Sequence, residues 1–245
     1  MPAYLKLFRK KRRGCTYRFK AEDNGRIVLY DDTTRFCFMG YRRLNRYFYP
    51  DGLERRILAM EKKYCLDPCT IEKGDTVVEV GANVGEFTLM ASRLASVVYS
   101  FEPDPNCFTC LKENLNKMDN VEVIPEAASD KNSQQMFFVS SEDADSSLIQ
   151  PKIYSRKIPI NTIRLDAWME SRNFATIDFL KIEAEGAEME VLKGLGNKIK
   201  KVKKVSVDGG PERYGQSPSH EIVQFLRLHG FKTQVSGYHV YGWNV

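Results

Sequence analysis

The residues best equipped for chemistry in this chain are carboxylates set beside glycines. Val77 to Thr88 reads VVEVGANVGEFT, with Glu79, Gly81, Asn83 and Gly85 at alternate positions and Glu86 directly after. Farther along, KIEAEGAE carries Lys181, Glu183, Glu185 and Glu188, and KVSVDGG contains Asp208. A carboxylate near a hydroxyl can take its proton, and two carboxylates can share a proton or a divalent cation. Glycines let the backbone approach a ligand closely and adopt positive φ. Asn83 is the best non-glycine candidate for such a left-handed position, and it adds an amide. A dinucleotide-binding loop would read G-x-G-x-x-G, and G-x-N-x-G departs from that. Acidic groups at Glu79 and Glu86 are poorly suited to a pyrophosphate. They suit a positively charged ligand, such as the ammonium and sulfonium of S-adenosylmethionine.

These residues need a scaffold to converge. From about residue 71, short β-rich runs alternate with amphipathic segments, the pattern of an α/β doubly wound sheet. Predicted strands cover 76–80, 96–101, 121–124, 134–139, 157–163, 177–182 and 204–207, with a terminal hairpin over 231–235 and 238–243. Predicted helices cover 85–95, 104–117, 165–170, 187–195 and 220–228. Ligands of such sheets lie beyond the C-terminal strand ends, near the switch in strand order. The 81–85 loop and FEPDP (101–105) fall there, and Glu102 can accept hydrogen bonds from ribose hydroxyls. Neighbouring strands lie ~5 Å apart, which brings Glu183 and Asp208 within reach of each other. Glu185 shares the loop with Glu183, Lys181 can pair with it, and His220 is a further candidate base. Before residue 71 the reading is a small N-terminal α+β extension, a β region to about 40 and then the helix GLERRILAMEKKYC.

Composition narrows the class. At 42% hydrophobic residues the chain is an ordinary soluble protein with a real core. No apolar run approaches the ~18–20 residues that span a bilayer, and no signal peptide is evident, so a cytoplasmic home is expected. Residues 1–20 hold eight Lys or Arg and no acid, while the whole chain is +5, so the body is mildly acidic. This basic arm reads either as a frayed, solvated terminus or as a dock for an anionic partner such as nucleic acid, membrane surface or acidic glycan. The run Lys198 to Lys204 reads as a solvated face, and Glu188 as a solvated helix residue. Cys107 and Cys110 fall on one face of a helix, which favours buried reduced thiols over zinc, and a cytosolic setting disfavours disulfides. Tyr47, Phe48, Tyr49 and Trp243 could stack on a sugar or belong to the core.

Four ordered motifs, VVEVGANVGEFT, FEPDPNCFTCLKENL, EAASDKNSQQMFF and IDFLKIEAEGAEMEVLKGL, carry a resemblance. From about Lys73 to Leu195 the chain resembles the FkbM family of S-adenosylmethionine-dependent methyltransferases. The resemblance implies a class I, Rossmann-like seven-stranded sheet with helices on both faces, over residues 71–245. It also implies methylation of hydroxyl oxygens on sugars, glycans or polyketide-type molecules. On that basis Glu79, Gly81, Asn83 and Gly85, with flanking Ala82, Phe87 and Thr88, line the methionine moiety. Glu102 with Pro103 holds the ribose, and Ala127, Ala128 and Ser129 pass the adenine. The family usually has Asp at the place of Glu183 and a Glu-led motif at the place of Asp208. The expected catalytic group is Glu183 acting with Asp208 as a metal-free base; a divalent cation is not favoured, because a hard cation takes more oxygen ligands. An RNA or protein methyltransferase docking through the basic arm is the alternative, opposed by KIEAEG standing where N/D-P-P-Y/F/W is expected. A binding module is opposed by the intact loop, and a dehydrogenase by the missing G-x-G-x-x-G.

Overall fold

Four antiparallel strands open the chain in sequential order: β1 (Leu7–Arg12), β2 (Cys15–Ala21), β3 (Arg26–Tyr30) and β4 (Arg35–Met39). The computed structural model describes residues 7–12, 15–22, 25–30, 35–40, 53–140 and 146–244. Tyr47, Phe48 and Tyr49 lie outside the described residues. Residues 7–12 and 15–20 of the basic segment are not frayed, because they pair as strands, Leu7 with Lys20 and Arg12 with Cys15. Helix α1 (Leu53–Tyr64) follows, burying Leu53, Ile57, Met60 and Tyr64 along one face.

The remainder alternates strand and helix. It runs β5 (Thr76–Val80), α2 (Glu86–Ala91), β6 (Val97–Phe101), α3 (Pro105–Asn114), β7 (Val121–Ile124), β8 (Ala127–Ala128), β9 (Ser133–Val139) and β10 (Arg156–Ile163). Then come α4 (Leu165–Ser171), β11 (Ile177–Ile182), α5 (Glu188–Lys193), β12 (Val202–Asp208), α6 (Ser219–Leu228), β13 (Lys232–Ser236) and β14 (His239–Trp243). Seven of these strands form one sheet in the order β13-β14-β12-β11-β5-β6-β7. The five from β12 to β7 are parallel, and β14 runs antiparallel to β12 and β13. This is the class I seven-stranded sheet. Strands β8, β10 and β9 make a separate small sheet.

The central strands are apolar on both faces because helices cover both. On one side α1, α2 and strands β2 to β4 share a core with Val77, Val98 and Phe179. On the other, Trp168, Val191, Leu192 and Leu226 pack against Val78, Leu180 and Val205. One register row breaks this apolar rule. Ser100, Glu79, Lys181 and Ser206 stand side by side across β6, β5, β11 and β12, and all are buried. A buried polar row is stable only if its members satisfy one another.

Two local readings change. Cys37 of β4 and Cys110 of α3 form a disulfide, so Cys110 is not a reduced core thiol, while Cys107 is buried. Lys204 is not part of a solvated face: it is buried and pairs with Glu72 and Asp75 at 3.1 and 3.0 Å. Lys200, Lys201 and Lys203 do remain exposed. Helix α3 starts as its sequence dictates, with Asp104 accepting from the Asn106 N–H at 2.9 Å and Pro105 in the first turn. No helix among the described residues is long and apolar enough to cross a membrane.

Candidate active site

A cavity of about 430 Å³ opens at the C-terminal ends of β5, β6 and β11. Its floor is the loop after β5. Gly81 (φ 76), Asn83 (φ 54) and Gly85 (φ 94) all take left-handed backbone conformations there. Gly81 is required by contact as well as by φ, because a Cβ at that position would lie 1.9 Å from the Glu183 carbonyl oxygen. The loops after β5 and β11 thus touch backbone to backbone.

Glu102 at the end of β6 accepts from the Asn83 N–H at 2.7 Å and from the Asp104 N–H at 2.8 Å. Its carboxylate therefore fixes the shape of two loops before any ligand is considered. Glu102→Ala strips two largely buried N–H groups of their acceptor, at ~1–3 kcal/mol each. It is expected to lower the melting temperature and to weaken cofactor binding at least ~10-fold. Calorimetry and thermal unfolding read the two effects separately.

Glu79 and Lys181 sit beneath the loop. Lys181 Nζ donates to the Gly81 carbonyl at 2.7 Å and lies 3.4 Å from Glu79 Oε1 and 3.2 Å from Glu183 Oε2. Glu79 Oε2 also accepts from Thr88 Oγ1 at 2.6 Å and Ser100 Oγ at 3.2 Å. Burial pushes the Glu79 carboxyl up, against the pull of Lys181 and of these hydroxyls. Lys181 is accordingly a structural cation that binds loop and carboxylates together.

Glu183 lines the cavity with nearly a third of its side chain open. Burial alone would raise its pKa, but the Lys181 and Lys63 ammonium groups, the latter also a hydrogen-bond donor, hold it well below the carboxylate range. The Glu183 and Asp208 side chains do not pair directly with each other. Instead Lys63 Nζ stands between them, 2.9 Å from Glu183 Oε1 and 2.7 Å from Asp208 Oδ2. The two side chains meet one ammonium rather than each other.

Of the residues assigned to the cofactor, Glu79, Gly81, Ala82, Asn83, Phe87, Glu102, Pro103, Ala127 and Ala128 line the cavity. Gly85, Thr88 and Ser129 do not. Gly85 is packed against Leu111, Thr88 bonds Glu79, and the Ser129 carbonyl crowds Gly194. Lys181, Glu183 and Glu185 line the cavity, while Asp208 reaches it through Lys63. Glu185 takes positive φ (50) and its carbonyl accepts from Ser147 Oγ at 2.6 Å. His220 is exposed at the start of α6, away from the lining. Trp243, at the far end of β14, packs against the core.

Several lining residues escape a reading of the sequence. Arg56, Met60, Lys63 and Tyr64 come from one face of α1, and Arg56 pairs with Glu86 at 3.0 Å. Their i, i+4, i+7, i+8 spacing is the available signal. Buried His239, whose ring lies 3.0 Å from Ser206 Oγ, is opposite Asp208 on β14. Burial lowers its pKa to about 4, so its imidazole is neutral near pH 7.

Glu188 corrects another reading. It is buried, and its Oε1 accepts from the Ala184 and Gly186 N–H groups, both at 3.0 Å. It thereby folds the loop that carries Glu183 and Glu185. Burial raises its pKa from 4.5 to about 7. The folded state then binds this proton more tightly than the unfolded chain, so the stabilisation is complete below about pH 4 and is lost as pH rises toward 7. At 1.36 kcal/mol per pH unit the loss is on the order of 3 kcal/mol. Glu188→Gln keeps the acceptor without the ionisation. It is expected to flatten the fall in melting temperature between pH 5 and 8, measured by thermal unfolding.

The family model described as the Methyltransferase FkbM domain matches residues 79–233. The 2-O-methyltransferase NoeI of Sinorhizobium fredii is 28% identical over 177 residues, covering 64% of this chain and 73% of that protein. The hexuronic acid methyltransferase AglP of Haloferax volcanii is 30% identical over 146 residues, 56% of each chain. The 31-O-demethyl-FK506 methyltransferase FkbM of Streptomyces tacrolimicus is 27% identical over 215 residues, 72% of this chain and 80% of that one. Among solved structures, a methyltransferase FkbM from Methylobacillus flagellatus has a TM-score of 0.51 at 13% identity and shares the fold. The match covers 82% of this chain and 59% of that longer one.

Proposed function

The chain belongs to the FkbM methyltransferase family, and from that premise we propose that it moves a methyl group from S-adenosylmethionine to a hydroxyl oxygen of a sugar, glycan or other hydroxylated small molecule. The observation that carries this reading is the charge of the cavity. Eight carboxylate side chains line it against three basic ones, Arg56, Lys63 and Lys181, among the described residues. Such a site favours a cationic donor and a neutral acceptor and repels a polyphosphate. An RNA acceptor is disfavoured on that ground, despite the basic β1 and β2. Two of the relatives are named for O-methylation, which supports a hydroxyl acceptor, and a third is named for methylation of a hexuronic acid, which supports a sugar.

The residues fit the donor. The glycine-bounded loop at Gly81–Asn83 leaves room for close backbone approach, Glu102 sits at the strand end where ribose hydroxyls are held, and Ala127 and Ala128 offer a small apolar wall. When bound, the sulfonium supplies an already activated methyl group, so the protein's work is positioning and proton handling. Glu183 can accept a hydrogen bond from the acceptor hydroxyl and then its proton, while Lys181 fixes the carboxylate from below.

The test is label transfer. Protein incubated with methyl-labelled S-adenosylmethionine and separate glycan, RNA and protein fractions should place label in the glycan or small-molecule fraction, in a linkage stable to base as an ether is. Label confined to RNA or protein rules the reading out.

A further inference from the structure

The ammonium between Glu183 and Asp208 comes from outside the family-matched region. Lys63 lies in the last turn of α1, sixteen residues before residue 79, where the match begins. Its position is fixed on several sides. The Tyr241 hydroxyl of β14 donates to the Lys63 carbonyl at 2.7 Å, and the Tyr64 ring lies 4.8 Å from Lys63 Nζ and 5.2 Å from Lys181 Nζ. The two ammonium groups thus share an aromatic ring as well as the Glu183 carboxylate, one on each oxygen. Lys63 joins Glu183 to Asp208 while Lys181 joins Glu183 to Glu79, and the space between the ends of β11 and β12 is filled by a charge that would repel a metal ion.

We propose that Lys63 is a positioning residue of the methyl-transfer site, its ammonium standing between Glu183 and Asp208 where a bridging divalent cation would otherwise have to sit. Helix α1 thereby completes the active site, and the reaction proceeds without a bridging metal. This rests on the proposed O-methyl transfer. Glu183 is the reporter. Lys63 and Tyr64 face it from α1, Lys181 from β11, Asp208 from β12 across Lys63, Glu212 from the following loop, and neutral His239 from β14.

The experiment uses the full chain enriched with carboxyl-labelled glutamate, with the Glu183 signal assigned by its loss in Glu183→Gln. In the wild type the Glu183 resonance should stay that of a carboxylate down through the ordinary range near ~4.3. Lys63→Met should bring its titration up by at least ~1 pH unit, a tenfold change in proton affinity, and Lys63→Arg should restore the wild-type curve. Lys63→Gln serves the same purpose should the methionine variant not fold. Manganese(II) added to the wild type should leave the Glu183 signal no broader than those of surface glutamates. An unchanged Glu183 titration in folded Lys63→Met, or selective broadening by manganese in the wild type, overturns the proposal. Calorimetry with S-adenosylmethionine on the same samples keeps the two ideas apart: a wild type that binds none of it sinks the methyl-transfer reading, whereas the titration and broadening judge Lys63 alone.

Discussion

Glu183→Gln should lower kcat by ~10²–10⁴-fold, the usual worth of a positioned general base, with cofactor affinity nearly unchanged. The expectation follows from placement. Glu183 lies at the end of β11, opens to the cavity, and is held charged by Lys181 and Lys63. A carboxylate with a depressed pKa is a weak base toward a resting hydroxyl. It is sufficient here, because the hydroxyl proton becomes strongly acidic as the new C–O bond forms. The low pKa also fixes the pH dependence: the base is needed unprotonated, so the acid limb of kcat should fall below the usual carboxylate range. Glutamine keeps the side-chain size and loses the charge. Steady-state kinetics with labelled donor, alongside calorimetry, separates the effects, and a near wild-type kcat would transfer the role to Glu185.

Gly81→Val should abolish measurable cofactor binding, a loss of at least ~100-fold or about 2.7 kcal/mol. The backbone there has φ 76, which a β-branched residue does not tolerate. The first added carbon would also sit 1.9 Å from the Glu183 carbonyl, forcing the loops after β5 and β11 apart. Both loops line the cavity, so the damage falls on its floor and on Glu183, the proposed base, together. Circular dichroism should report a folded protein. Wild-type affinity in calorimetry would show that the loop is not where the donor lies.

What can be read in advance is whatever depends on local pattern. Runs such as TVVEV and IDFLKI announce strands buried on both faces, and Asp104 before Pro105 announces a helix start. Positive φ at Gly81, Asn83 and Gly85 is foreseeable, since only glycine and asparagine take it readily. Lys63 and Glu183 are opaque for the opposite reason, being 120 residues apart and joined only by the packing of α1 on the sheet. Cys37 and Cys110, 73 residues apart, are hidden in the same way. Glu188 shows a subtler limit. A glutamate at the start of a helix has the same pattern whether it faces water or turns back to cap the preceding loop, and only its bonds to the Ala184 and Gly186 N–H groups distinguish the two. Gly85, Thr88 and Ser129 belong to the same motifs as lining residues but do not themselves line the cavity.

Titration calorimetry of the wild-type chain with S-adenosylmethionine, its demethylated product and NAD tests most directly what occupies the cavity. Binding of the first two, weakened by Glu102→Ala and lost in Gly81→Val, together with no heat from NAD, is the predicted result. Tight NAD binding with no response to S-adenosylmethionine would contradict it.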